Sequence, residues 1–262
     1  MKLFILLAAT ALFCCSCYHV YYAPNTANAP LLAEKGETRI NAVYTNGGYS
    51  DFDGGELQVA HAVGKNVGIM INGFTAGKSE EVSDYSTSGN NNTHTEKGSG
   101  SYIEFAGGLF KNFDHKKKWI GEIYGGVGFG SVKNDYGSGD HSKVRDTKVF
   151  LQPAIGYKSR NFEVTLAPKV SLVNWKVKEN RISSFNEDVK DELNYISQNP
   201  RFFTFEPALL LRGGGQNVKV QLGLSLSKYD VNGLMLVNGL TETLNASLGV
   251  SINLKPSSKR IE

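Results

Sequence analysis

Alternation of apolar and polar residues is the feature that most constrains the fold of this chain. From residue 218 to residue 227 every even position is aliphatic and every odd position is polar or glycine, and residues 244–254 repeat the pattern. Successive side chains of a β-strand point to opposite faces, so each such segment has one apolar and one polar face. We predict ten strands of this kind, at about 37–47, 55–64, 66–77, 100–112, 118–132, 146–158, 161–175, 201–213, 216–229 and 241–254.

The connections between these strands alternate in length. One set is medium or long (48–54, 78–99, 133–145, 176–200 and 230–240), and the other is short (65, 113–117, 159–160 and 214–215). Outer-membrane barrels have tight turns at the periplasmic end and longer loops at the outer end. We therefore predict an all-β, antiparallel up-and-down transmembrane barrel over residues 37–254, with eight strands as the nearest alternative and both termini at the periplasmic end. A soluble periplasmic β-sandwich is the remaining alternative, but it gives no reason for the long loops to share one end.

Charged residues recur on the polar faces of the predicted strands. In a membrane barrel the polar face lines the lumen, where an isolated charge without a partner is costly. We therefore predict a network of charges that bridges the lumen and fills it. Its members are Glu56, Glu104, Glu122, Glu163 and Glu206, with Arg39, Lys169, Arg212 and Lys219 as counter-charges.

Aromatic and glycine residues also fall at positions that suit a membrane barrel. The aromatic residues cluster near the strand ends, which is typical of the two interfaces of a bilayer. The glycine-rich run 125–130 lies mid-strand with no helix after it, so we predict that glycine on the lumen face makes room for bulky neighbours. The aromatics are Trp119, Tyr157 and Phe162 at the short-turn end and Phe129, Trp175, Phe203 and Tyr229 toward the loop end.

The N-terminus has the pattern of an export signal. A short basic start is followed by apolar residues 3–13, a stretch that suits a signal peptide and is too short to span a bilayer. Ser16 directly before Cys17 resembles the lipobox of bacterial lipoproteins, which implies that Cys17 is acylated; Cys15 is the second candidate. We predict a signal peptide at 1–16, a lipid-anchored tether at 17–36 and a C-terminal tail at 255–262.

The last predicted strand carries a further pattern. Ser247, Gly249, Ile252 and Leu254 follow the order polar, x, Gly, x, x, hydrophobic, x, hydrophobic. This order resembles the β-signal that the outer-membrane assembly machinery reads. The chain as a whole resembles small outer-membrane β-barrel proteins of gram-negative bacteria, here with a lipoprotein-type signal peptide. The resemblance implies location in the bacterial outer membrane, with membrane lipid and the assembly machinery as partners.

One helix is predicted, within loop 176–200. Ser184 and Glu187 resemble a capping box. Val189, Leu193 and Ile196 then fall on one helical face. That apolar face suits packing over the rim of the barrel, or else binding of a partner.

Residues that carry chemistry are sparse. None of the five histidines is spaced for a metal site, and all three cysteines lie in residues 14–17. We predict no catalytic residues, no metal and no cofactor, and a net charge of +3 gives no reason to expect nucleic acid. The function predicted from sequence is a structural or surface-interaction role of the outer loops. The alternative is a narrow channel for small solutes.

Overall fold

The computed structural model describes residues 19–22, 24–47, 53–84, 92–183, 186–230 and 244–255. The predicted signal peptide, the cysteine predicted to be acylated, Ser184 and the end of the predicted tail lie outside these residues. The described chain forms ten barrel strands and one helix. Their bounds are β1 Thr38–Gly47, β2 Asp53–Ala62, β3 Val67–Asp84, β4 Asn92–Asn112, β5 Trp119–Asp135, β6 His141–Lys158, β7 Phe162–Leu166 and Lys169–Arg181, α1 Glu187–Gln198, β8 Arg201–Glu206 and Ala208–Gly214, β9 Val218–Leu226 and Lys228–Asp230, and β10 Leu244–Leu254.

The sheet is closed. Each strand pairs antiparallel with the next, and β10 pairs with β1 from Thr38↔Leu254 to Gly47↔Asn245. Strands β7 and β8 are interrupted next to Pro168 and at Pro207, because proline has no N–H to donate to the ladder. The ladder resumes around these breaks, where the N–H of Ala167 donates to the carbonyl of Ala208 (2.8 Å). The predicted ten-stranded antiparallel barrel is confirmed, and the eight-stranded alternative is wrong.

The outside of the barrel is apolar. Large hydrophobic side chains point outward from all ten strands, among them Phe105 on β4, Val149 on β6, Leu222 on β9 and Leu248 on β10. A closed barrel leaves no unpaired strand edge, and an apolar exterior of this extent suits contact with hydrocarbon rather than water. The alternation therefore has the inside-out sense of a membrane barrel, with the polar faces inside.

Several strands are longer than the sequence pattern predicts. Strands β3 and β4 stay paired up to Asp84↔Asn92, and β5 pairs with β6 up to Asp135↔His141. The predicted loops 78–99, 133–145 and 176–200 are therefore partly strand. The outward positions of these extensions are polar or charged, as at Lys133, Asp135 and Lys143, so the apolar alternation that marks a strand is absent there although the ladder continues. We call the side of these hairpins the loop end, and the side of turns 63–66, 113–118, 159–161 and 215–217 the short-turn end.

Helix α1 lies at the loop end, as predicted. Val189, Leu193 and Ile196 are buried against a cluster that includes Val173 and Trp175 of β7. The N-cap residue is Asn186, whose side chain makes no capping bond. Within the part of the chain that the structure describes, no helix has the length and hydropathy needed to cross a bilayer.

The predicted aromatic belts are supported at four positions and corrected at one, and the side chain of Tyr229 lies outside the described part of the chain. Trp119 and Phe162 are exposed at the short-turn end, and Phe129 and Phe203 are exposed toward the loop end. Trp175 is instead buried inside the barrel, where its ring packs on Phe202 at a centroid distance of 4.3 Å. The prediction that Trp175 belongs to the outer belt is wrong, because it shares the inward parity of Lys169 and Ser171 on β7.

Candidate functional site

The lumen is filled by the chain that precedes β1. We call residues 19–22 and 24–37 the lumen segment. Its residues from Val20 to Leu32, apart from the undescribed residue 23, are buried, and Tyr21, Ala29, Leu31 and Leu32 are completely inaccessible to solvent. The predicted tether at 17–36 is therefore wrong for these residues. Their small polar and proline-rich sequence fits an extended chain within a polar lumen as well as it fits a solvated linker.

The lumen segment crosses the barrel from one end to the other. Close to β1, Lys158 at the short-turn end donates to the carbonyl of Leu31 (2.8 Å) and forms an ion pair with Glu37. At the opposite end His19 contacts Glu192 of α1 and Glu96 of β4, each at 3.2 Å. The prediction that both termini lie at the periplasmic end is thus wrong for the N-terminal side, because the chain passes through the lumen before β1 begins.

Wall side chains satisfy the backbone of the lumen segment. The carboxylate of Glu56 accepts a hydrogen bond from the N–H of Thr26 (2.6 Å), and Gln58 donates to the carbonyl of the same residue (3.0 Å). Glu122 accepts from the N–H of Leu32 (2.8 Å), and Gln152 donates to the carbonyl of Asn28 (2.8 Å). Buried backbone groups need such partners. The extended segment is therefore held specifically rather than merely enclosed.

This arrangement corrects part of the predicted charge network. Among the described residues, neither Glu56 nor Glu122 has a basic side chain within 4.0 Å. Their carboxylates bind backbone N–H groups of the lumen segment instead of counter-charges. The sequence placed both residues on the lumen face but gave no sign that a chain segment would lie there.

A first charge cluster lies midway along the lumen. Glu104 forms an ion pair with Lys148 (2.6 Å), and Lys169 with Glu206 (3.3 Å), and all four side chains are almost fully buried. Asn25 of the lumen segment sits among them: its amide donates to Glu104 (2.7 Å), and its carbonyl accepts from Lys148 (3.0 Å) and Lys169 (2.9 Å). Lys148 was not predicted, although its even position on β6 gives it the parity of the lumen face.

A second charge cluster lies nearer the short-turn end. The two terminal nitrogens of Arg39, Nη1 and Nη2, each donate to the carboxylate of Glu163. Arg212 and Lys219 approach the same carboxylate at 3.3 Å and 3.4 Å. All four side chains are at most 4% exposed. Three cations therefore converge on one buried carboxylate.

Glycines on β5 leave space for the bulky side chains that fill the lumen. Gly126, Gly128 and Gly130 face the lumen, and a Cβ on Gly130 would lie 2.2 Å from the ring of Tyr102. Lys148 in turn lies over that ring, 4.7 Å from its centroid. The prediction that glycine in the run 125–130 makes room for bulky lumen side chains is confirmed at these three positions.

A cavity of about 720 Å³ opens at the short-turn end, where the lumen segment joins β1. Its lining is mainly basic, with Lys116, Lys118, Arg160 and Lys255 around the Lys158–Glu37 ion pair. Among the described residues, no group of three or more His, Cys, Asp and Glu side chains is arranged to hold a metal ion.

The residues of the predicted β-signal lie on both faces of β10. Ser247 and Gly249 face the lumen, whereas Ile252 and Leu254 face outward.

His19 anchors the lumen segment at the loop end of the barrel. It lies beyond the apolar exterior, since Glu96 is seven residues past Ile103, the last outward apolar residue of β4. Burial lowers the pKa of His19, but hydrogen bonds and charge attraction from Glu192 and Glu96 raise it by more, to about 9. The ring also packs edge-on against Tyr136, 4.6 Å between centroids. A protonated His19 therefore bridges two carboxylates on two different elements.

We expect the stability of the barrel to depend on pH through His19. Because its pKa is raised from 6.5 to about 9, the contribution is present in full below pH 6.5 and is lost as the pH rises through 9. Burial raises the pKa of Tyr136 to about 12, so this neighbour stays neutral over that range. Among the described residues, Tyr21 also contacts Glu192, and His94 also contacts Glu96.

The measurement is the free energy of unfolding in detergent between pH 6 and pH 10. The fall over this range should be on the order of 1–3 kcal/mol for the unaltered chain and should be absent in His19→Gln. His115→Gln, at an exposed position in a short turn, is the matched control and should keep the full fall. If the free energy of unfolding falls equally in His19→Gln, groups other than His19 cause the pH dependence.

Comparisons with known proteins bear on the fold alone. No family model matches the chain, and no curated protein matches it. A major outer membrane protein from Thermus thermophilus aligns at a TM-score of 0.37 and 11% identity, over 84% of this chain and 100% of that one. The β domain of the Bordetella autotransporter BrkA aligns at 0.39 and 11%, over 86% and 100%. The NanC porin aligns at 0.31 and 13%, over 84% and 100%.

The architecture defines the class of protein. A closed antiparallel barrel of ten strands, with an apolar exterior, a polar lumen and short turns at one end, is an outer-membrane β-barrel. The chain is therefore a protein of the bacterial outer membrane. In barrels of this class the short turns face the periplasm and the longer loops face outward.

Proposed function

We propose that the protein is a closed scaffold of the outer membrane, with a structural or surface-interaction role carried by its loop end. The lumen segment is the observation that carries this proposal, because it occupies the path that a solute would take. Asn25 alone contacts Glu104, Lys148 and Lys169, which come from three different strands of the wall. We further propose that the chain is a lipoprotein acylated at Cys17, or else at Cys15, and that it has no catalytic role.

The loop end offers a broad surface for contacts. The hairpins β3–β4 and β5–β6 extend past the apolar exterior, and α1 turns its charged face to solvent with Glu187, Asp188, Lys190 and Asp191 exposed. The apolar face of α1 is already buried against the barrel. Partners at this end would therefore be recognised through polar and charged groups.

Planar-bilayer recording tests whether the barrel is closed. We expect no stable conductance from the intact chain, since small barrels have interiors filled by side chains and this one also contains a backbone segment. The alternative function, a narrow channel, predicts discrete conductance steps that change in Glu122→Gln. Such steps from the correctly folded chain would contradict the closed scaffold.

A further inference from the structure

The route of the chain through the lumen has a fixed direction. Glu37 leads directly into β1 at the short-turn end, and the segment reaches the loop end at His19. Solvent exposure changes there: the side chain of His19 is 16% exposed, whereas Val20, Tyr21 and Tyr22 are at most 2% exposed. The described chain therefore reaches the loop-end mouth of the lumen at His19.

Chain length then limits where Cys17 can lie. A fully extended chain spans at most about 3.6 Å per residue, so the two steps from His19 to Cys17 cover at most about 7 Å. The hydrocarbon core of a bilayer is about 30 Å thick. Cys17 cannot reach the periplasmic leaflet from the loop end, and the path back through the lumen is already filled.

We propose that the barrel delivers its own N-terminal end to the outer side of the membrane, so that Cys17 is a surface-side residue. The outer leaflet is the nearer one on that side, so we assign an acyl group on Cys17 to the outer leaflet rather than to the periplasmic one. This inference rests on the filled lumen of the proposed function, and it adds the direction in which the segment passes.

The contacts at the two ends suit a segment fixed in this direction. At the loop end Tyr21 donates to Glu192 (2.9 Å) and shares a hydrogen bond with Tyr136 (2.8 Å). At the short-turn end Asn112 donates to the carbonyl of Ala33 (2.9 Å). Because these contacts come from α1, from the β5–β6 turn and from β4, the segment is held at both mouths of the barrel.

The test is protease accessibility on intact cells grown with a fatty-acid analogue. A recognition site for a sequence-specific protease is inserted between Tyr18 and His19 in the full chain. We expect cleavage when the protease is added to intact cells, with the acyl label leaving the barrel band on a gel. Cleavage only after the outer membrane is permeabilised would overturn the proposal.

Two matched insertions calibrate the orientation. The same site between Ser138 and Gly139, in the β5–β6 turn, should be cut on intact cells, and the site between Gly215 and Gln216 should be cut only after permeabilisation. The reverse result would show that the short-turn end faces outward, and it would overturn the proposal. If the first insertion does not fold, labelling of Tyr18→Cys by a membrane-impermeant maleimide on intact cells, against Gln216→Cys, makes the same distinction.

Failure of this inference and failure of the proposed function remain separable. Silent bilayers together with cleavage only after permeabilisation would leave the closed scaffold intact and reject the outward N-terminus. Conductance from the intact chain would reject the closed scaffold itself. Acyl label that is retained in Cys17→Ala and lost in Cys15→Ala would reject Cys17 as the anchor.

Discussion

Glu163→Gln is expected to lower the free energy of unfolding of the barrel by about 3–5 kcal/mol, the usual cost of removing one partner from a buried ion pair. Glu163 is the one carboxylate that Arg39, Arg212 and Lys219 share within 4.0 Å among the described residues. A glutamine amide keeps the shape of the side chain but removes its charge, and among the described residues it leaves the three buried cations with no carboxylate within 4.0 Å.

Denaturant unfolding in detergent, followed by heat-modifiable gel migration, measures this effect. Glu179→Gln is the matched control, because the side chain of Glu179 is 52% exposed and lies 3.8 Å from Lys143. The control should change the free energy of unfolding by at most about 1 kcal/mol. The double variant Glu163→Gln/Arg212→Met should recover part of the loss, since one of the unpaired cations is then gone. Equal small effects of Glu163→Gln and Glu179→Gln would contradict the role assigned to the cluster.

Deletion of residues 24–33 is expected to convert a silent barrel into a conducting one. The ten strands pair with one another, and residues 24–33 take part in none of their ladders, so the barrel survives the deletion. The deletion leaves Glu56, Gln58 and Glu122 facing an empty, hydrated lumen, because their partners in the lumen segment are gone. Planar-bilayer recording should then show discrete conductance where the intact chain shows none.

A second variant separates steric filling from specific binding. Residues 24–33 are replaced by glycine and serine at unchanged length, which keeps a chain in the lumen but removes the side chain of Asn25. We expect intermittent conductance from this variant, since its segment is not held in place. Silent bilayers from a correctly folded deletion variant would show that the wall side chains close the lumen by themselves.

The strands and the helix were predictable because their patterns are local. Alternation placed Glu104, Glu163 and Glu206 on the inner face, and the spacing of Val189, Leu193 and Ile196 predicted α1 and its buried face. The same alternation also placed Trp175 inside, and the correct position was available from the parity of β7. Trp175 lies near a strand end, where an aromatic belt is expected, but the alternation of inward and outward positions on β7 places its side chain inside the barrel.

The lumen segment was not predictable in this way. It has no periodicity, and its stability comes from backbone groups whose partners are distant in sequence, such as the amide of Gln152 for the carbonyl of Asn28. A proline-containing polar segment without secondary structure fits water and a polar lumen equally well. The numbers of predicted charges held one available signal: five glutamates face four basic residues, so at least one carboxylate needed another kind of donor.

The closing pair of strands carries a consequence for the order of assembly. Strand β1 follows the lumen segment directly in sequence, and its partner across the seam is β10, the last of the described strands. A sheet that is still open at this seam lets the segment lie down sideways along the inner face. Once the seam has closed, entry would require pulling a free end, with any lipid on it, lengthwise past Tyr102 and the two charge clusters. We therefore expect the segment to be placed before the seam closes, with the pairing of β10 onto β1 as the step that encloses it.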